Sequence, residues 1–162
     1  MSTQYSLFIA PKKFSAAHTA IGKDLHKTTH SKIWGGPHIT MMSFLNKDTC
    51  LPYLRELAVS IATVLQGQIW VPSDFNLTLK NENLTIVIKS KTLSIISEII
   101  RFHNLSPKDD FHITLGIPKE LPNFDYNNVC KYLQSLDWCV TIVKKNDAHV
   151  EWLEQYPLRS LN

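Results

Sequence analysis

Pro37-His38-Ile39-Thr40-Met41-Met42-Ser43-Phe44 and Phe111-His112-Ile113-Thr114-Leu115-Gly116-Ile117-Pro118 are two versions of one pattern. Each sets His-Ile-Thr at the head of an apolar run that reads as a strand. Each is followed by a helical pattern, from about Pro52 in the first case and Asp125 in the second. Two halves of similar layout predict a duplicated lobe about a pseudo-twofold axis. Seven histidines and twelve threonines in 162 residues give roughly 0.5 His-x-Thr triplets by chance. Three occur. The third, His26-Lys27-Thr28, lies in a Lys-rich stretch with no strand pattern and is the chance one.

The rest of the chain falls into place around these strands. Residues 5–10 form a short β-rich run stopped by Pro11. Asp48 or Thr49 is placed to cap a helix whose Leu54, Leu57, Ala58, Ile61 and Leu65 recur at helical spacing, with Gly67 at its end. Residues 75–79 and 84–88 flank a polar tetrapeptide and predict a hairpin. Leu93, Ile96, Ile99, Ile100 and His103 predict a second helix, and residues 125–136 a third. Residues 140–143 and 149–153 are the last strands. Strands joined by hairpins, with helices between, predict an α+β fold of two mainly antiparallel sheets with flanking helices. The expected unit is one domain, 1–162, of two similar lobes.

The chemistry follows from the alternation of a strand. His38 and Thr40 point to one side and Ile39 to the other, and the same holds for His112, Thr114 and Ile113. If the two strands lie side by side, four polar groups converge on one cleft. One imidazole can take a proton from an attacking oxygen while the other gives one to a leaving oxygen. The threonine hydroxyls can donate to phosphate oxygens where charge collects. Histidine suits both tasks because both of its protonation states exist near neutral pH. A single His–Thr pair on a strand reads equally as a buried histidine satisfied by a hydroxyl. Two pairs in matched contexts argue for a site.

Composition limits the alternatives. The hydrophobic fraction of 44% and charged fraction of 19% exclude a disordered chain. A net charge of +3 permits an anionic ligand but is too small for a protein that coats duplex nucleic acid. No apolar run approaches the ~20 residues of a membrane span. Residues 1–10 lack a charged n-region and a full apolar h-region, so the expected location is the cytoplasm. Cys50, Cys130 and Cys139, odd in number and far apart, read as reduced thiols. His18, His30, His103 and His149 fail zinc spacing, so neither a metal nor a cofactor is expected.

Paired H-x-T motifs, each on a strand of a bilobal α+β fold, make the chain resemble the 2H phosphoesterase superfamily. His38, Thr40, His112 and Thr114 match its motif positions one for one, and the likeness covers nearly the whole chain. It implies cleavage of phosphodiesters or cyclic phosphates without a metal. Among its branches, the bacteriophage anti-CBASS phosphodiesterases look most similar. These degrade cyclic di- and trinucleotide defence messengers in the cytoplasm of the bacterial host. The likeness implies substrate-binding roles for Tyr5, on the first strand, and Glu151, on the last, where it would read a base. RNA 2′,3′-cyclic phosphodiesterases and 2′,5′-oligoadenylate phosphodiesterases are the other branches implied. A different class also fits the cleft: a sponge that binds a cyclic nucleotide without cutting it.

Single residues around the motifs carry two readings each. Tyr5 either meets the ligand or packs on the core. Glu151 either accepts from a base edge or faces solvent. Trp34, Trp70 and Trp152 are candidate stacking platforms or core aromatics. Lys12, Lys13, Lys23, Lys27 and Lys32, within 12–36, either close over an anionic ligand or form a solvated face.

Overall fold

The computed structural model describes residues 3–12, 29–30, 38–46, 48–66, 75–80, 83–88, 91–109, 111–118, 137–147 and 149–158. The expected third helix at 125–136, Gly67, Trp34, Trp70, Cys130 and the lysines from Lys13 to Lys32 lie outside these residues. Eight strands are described: β1 (Gln4–Pro11), β2 (Thr29–His30), β3 (Ile39–Thr40), β4 (Phe75–Lys80), β5 (Asn83–Ile88), β6 (His112–Pro118), β7 (Trp138–Asn146) and β8 (His149–Pro157). Two helices accompany them, α1 (Leu51–Val64) and α2 (Lys91–Phe102). The fold is α+β, and every described strand pair is antiparallel. None of the described helices is long and apolar enough to cross a membrane.

The strands form one sheet in the order β4-β5-β6-β3-β1-β7-β8, with β2 also paired to β6. Exchange β1 with β5, β3 with β6 and β4 with β7, and the first six positions read the same from the other end. Each half sends its third strand across: β4 pairs with β5, and β7 with β1. Two sheets were expected, but the two sides are continuous through a single residue pair, Ile39 with Ile113. The join is narrow because β3 is only two residues long. The expected strand over 37–44 breaks after Thr40, and Met42 makes only an isolated bridge, to Pro107. The Ser6 hydroxyl donates to the Met42 carbonyl at 2.9 Å, which satisfies a main-chain oxygen there.

Alternation along β1 separates the two sides of the sheet. Tyr5, Leu7 and Ile9 join Ile39, Trp138, Val140 and Ile142 in the main core, under the apolar faces of the helices. Helix α1 buries Leu54, Leu57, Ala58 and Ile61 there, and α2 buries Leu93, Ile96 and Ile100, at the spacing the sequence predicted. Each fully buried Leu or Ile contributes about 1.5–3 kcal/mol. The cap of α1 differs from expectation. Its N-cap is Cys50, which makes no side-chain capping bond, and residues 48–50 form a 3₁₀ turn before it. Pro52 sits in the first turn, where no amide donor is needed. Just past α2 the chain reverses at Asn104, whose φ of 59° asparagine tolerates. The Asn104 and Leu105 amides then donate to the carbonyls of Arg101 and Ile100.

Phe8 and Ala10 face the other way. With Val143 and Trp152 they make a second, smaller cluster, edged by Phe44 and Val150. Strand β1 is thus buried on both faces. The β7–β8 hairpin turns through Asp147, φ 51°, a left-handed conformation that suits a two-residue loop.

Candidate functional site

The two His-Ile-Thr motifs meet at the centre of the sheet. Ile39 pairs with Ile113 in an antiparallel register. That register sets position 38 across from 114 and position 40 across from 112. Ile39 lies in the helix-side core. Alternation therefore turns His38, Thr40 and His112 to the opposite face, and the backbone at position 114 lies across from 38. The histidines occupy one diagonal of this four-residue square and the threonines the other. Diagonal neighbours across an antiparallel pair are about 7–8 Å apart, room for a phosphate-sized group between two imidazoles.

The strands outside the square hold it in place. On one side Phe8 pairs with Thr40 and Ile9 with Ile39. On the other Thr85 pairs with Thr114, Ile86 with Ile113 and Val87 with His112. His38, Thr40 and His112 are half-buried, so part of each side chain reaches the surface. The His38 ring lies flat on the Phe8 ring, with centroids 4.2 Å apart and planes 8° from parallel. Phe8 is fully buried and meets Phe44 edge-on at 6.2 Å. The Lys145 ammonium stands 5.2 Å over the Phe44 ring. Sequence reasoning missed Phe8. Its place under His38 depends on the register of β1 against β3, which a single sequence does not carry.

The other expected site residues stand elsewhere. Tyr5 is 6% exposed and packs in the main core, on the face opposite His38. The alternation that brings Phe8 to the motif face turns Tyr5 to the other face, so the structure does not bring Tyr5 together with the motif residues. Glu151 pairs with Lys144, which pairs with Tyr5, so Glu151 shares Tyr5's face. It is exposed on the outer strand, three strand spacings or roughly 14 Å from β3. The structure does not bring Glu151 together with the motif residues either. Trp152 is on the motif face but 5% exposed, packed with Phe8, Ala10 and Val143. In this position it supports Phe8 from behind. Lys12 is exposed, and its amide donates to the Asp137 carbonyl at 2.7 Å.

Two further groups define the electrostatics. Cys139, on the motif face beside Ala10, is a free thiol whose pKa burial pushes up to about 11, so it stays protonated and unreactive at neutral pH. Away from the motifs, Arg55 of α1 holds Glu154 of β8 through a bidentate pair at 2.7–3.0 Å. The Tyr156 hydroxyl donates to the same carboxylate at 2.8 Å. The guanidinium hydrogen bonds hold the Glu154 carboxyl below its usual range, whereas burial raises the Tyr156 phenol. Beside them lies a shallow depression of about 310 Å³ lined by Val59, Ala62, Thr63, Gln66, Tyr156 and Pro157. It has no acid–base pair. Among the described residues no group of three or more His, Cys, Asp or Glu side chains could hold a metal ion.

Comparison with protein-family models, with curated proteins and with solved structures finds no match.

Proposed function

We propose that this chain is a metal-independent phosphodiesterase of the 2H phosphoesterase kind, with a two-lobed fold centred on its paired motifs. The reading rests on one observation: the Ile39–Ile113 register, which sets the two His-x-Thr motifs side by side on neighbouring strands. The substrate class that suits this square is a cyclic di- or trinucleotide, the messenger of bacterial defence, met in the cytoplasm. A 3′,5′ linkage in such a ring has a 2′-hydroxyl beside its phosphorus, so the nucleophile is already in position. One histidine takes the 2′-hydroxyl proton as the O2′–P bond forms. The other protonates O5′ as the P–O5′ bond breaks. Thr40 and Thr114 donate to the phosphate oxygens. The product is a linear oligonucleotide ending in a 2′,3′-cyclic phosphate. With the histidines' roles exchanged, water adds to phosphorus, the P–O2′ bond breaks and O2′ is protonated. A terminal monophosphate remains. The two imidazoles complete this proton inventory without a metal ion.

The test is turnover on a panel: 3′,3′-cyclic GMP–AMP, a cyclic trinucleotide, 2′,5′-oligoadenylate, and RNA ending in a 2′,3′-cyclic phosphate. Multiple turnovers on a cyclic 3′,5′ ring, unaffected by EDTA, are expected. The 2′-deoxy analogue should bind and stay intact. Cleavage confined to the RNA end or to the 2′,5′ linkage would move the protein to another branch. Equimolar binding without cleavage would make it a sponge.

A further inference from the structure

The sheet order is symmetric about the motifs, but one pair of equivalent positions is filled differently. Phe8 stands across from Thr40, and Thr85 across from Thr114. We infer that Phe8 is a positioning residue for His38: it fixes the plane of that imidazole. The inference rests on the two-histidine reading above and adds to it a residue that touches neither substrate nor reacting atoms.

The geometry carries the argument. A parallel ring stack at 4.2 Å leaves an imidazole little freedom to turn about its Cβ–Cγ bond without losing the contact. Phe8 is itself immobilised. It is fully buried among Ala10, Val143 and Trp152 and braced edge-on by Phe44, whose ring in turn lies under Lys145. The ladder Lys145–Phe44–Phe8–His38 runs from the edge of the small cluster to the square. A proton donor or acceptor must be aimed at one oxygen, and small misplacements of reacting groups cost large factors in rate. A fixed ring plane therefore acts on kcat, while binding of the diester to the rest of the site is left largely intact.

The experiment pairs Phe8→Leu with Val143→Ala. Both loosen the same cluster, but only the first removes the ring under His38. In wild type, NMR of the histidine side chains should show the His38 ring protons displaced upfield by the Phe8 ring current and in one conformation. In Phe8→Leu that displacement should vanish, and kcat on 3′,3′-cyclic GMP–AMP should fall roughly 10-fold or more with KM within about threefold. Val143→Ala should lose stability yet keep kcat within about twofold. A wild-type protein without the upfield displacement would overturn the inference, and needs no variant. So would a Phe8→Leu protein with wild-type kcat, or a Val143→Ala protein that loses kcat as much. A wild-type protein that cleaves no member of the panel marks failure of the two-histidine reading, a result distinct from these.

Discussion

The two sides of the sheet that meet at Ile39 and Ile113 share a strand order and differ in what stands behind each motif. Behind His38, β1 is buried on both faces, and its Phe8 belongs to an aromatic ladder. Behind His112, β5 offers Thr85, Ile86 and Val87. The strand order puts the two motifs in equivalent positions, while the residues paired beside Thr40 and Thr114 differ in kind, a phenylalanine in one case and a threonine in the other. A matched pair of motifs thus does not imply a matched pair of neighbours.

The largest expected effect is on chemistry. His38→Ala and His112→Ala should each lower kcat roughly 100-fold or more, the usual scale for loss of a general acid or base. KM should move less, because the proton transfers act in the transition state. A variant with near wild-type kcat would make its histidine structural and the comparison one-sided.

The join between the sides comes next. Ile39 is fully buried where the two motif strands meet. Ile39→Ala should cost about 2–5 kcal/mol in chemical denaturation, as for other large-to-small core changes. A cost under 1 kcal/mol would mean that the sides are held together elsewhere.

Smaller effects belong to residues off the motif face. Tyr5→Phe and Glu151→Gln should leave kcat/KM within about threefold, since both positions lie on the opposite face. A loss of 100-fold in either would show that the ligand reaches around the sheet edge, and would support the role the sequence suggests.

The smallest effect concerns Arg55 and Glu154, which tie α1 to β8 on the far side. The Glu154 pKa is lowered in the folded chain, so its stabilisation is present above the unfolded value near about 4.3 and is lost as pH falls through the folded value. Glu154→Gln should lower Tm by about 1–3 °C at pH 7, and the gap should narrow in acid as the carboxyl is protonated. A gap that persists there would show that charge is not its source.

The sequence carried the site's residues better than its arrangement. His38, Thr40, His112 and Thr114 were legible because a repeated triplet at the head of two strands survives any uncertainty about element ends. The apolar faces of α1 and α2 were legible from the spacing of Leu54 to Ile61 and of Leu93 to Ile100. Register was not legible. Tyr5 and Phe8 are three apart on one strand and so on opposite faces, but only the pairing of β1 with β3 decides which of them meets His38. The same holds for Glu151, whose face is set through Lys144 and a bulge in β7–β8 between Ile142 and Val143. The length of the motif strand was overestimated because Met41, Met42 and Phe44 are apolar for packing reasons while the backbone there pairs only at isolated points.

The central claim is that the two histidines, brought together by one residue pair, act as a unit on a phosphodiester. A double-mutant cycle on kcat for 3′,3′-cyclic GMP–AMP tests it most directly. If they act together, the His38→Ala/His112→Ala double variant should be about as slow as the slower single variant, because removing one partner already disables the other. Losses that multiply across the cycle, or a double variant that still turns over at the wild-type rate, would contradict it.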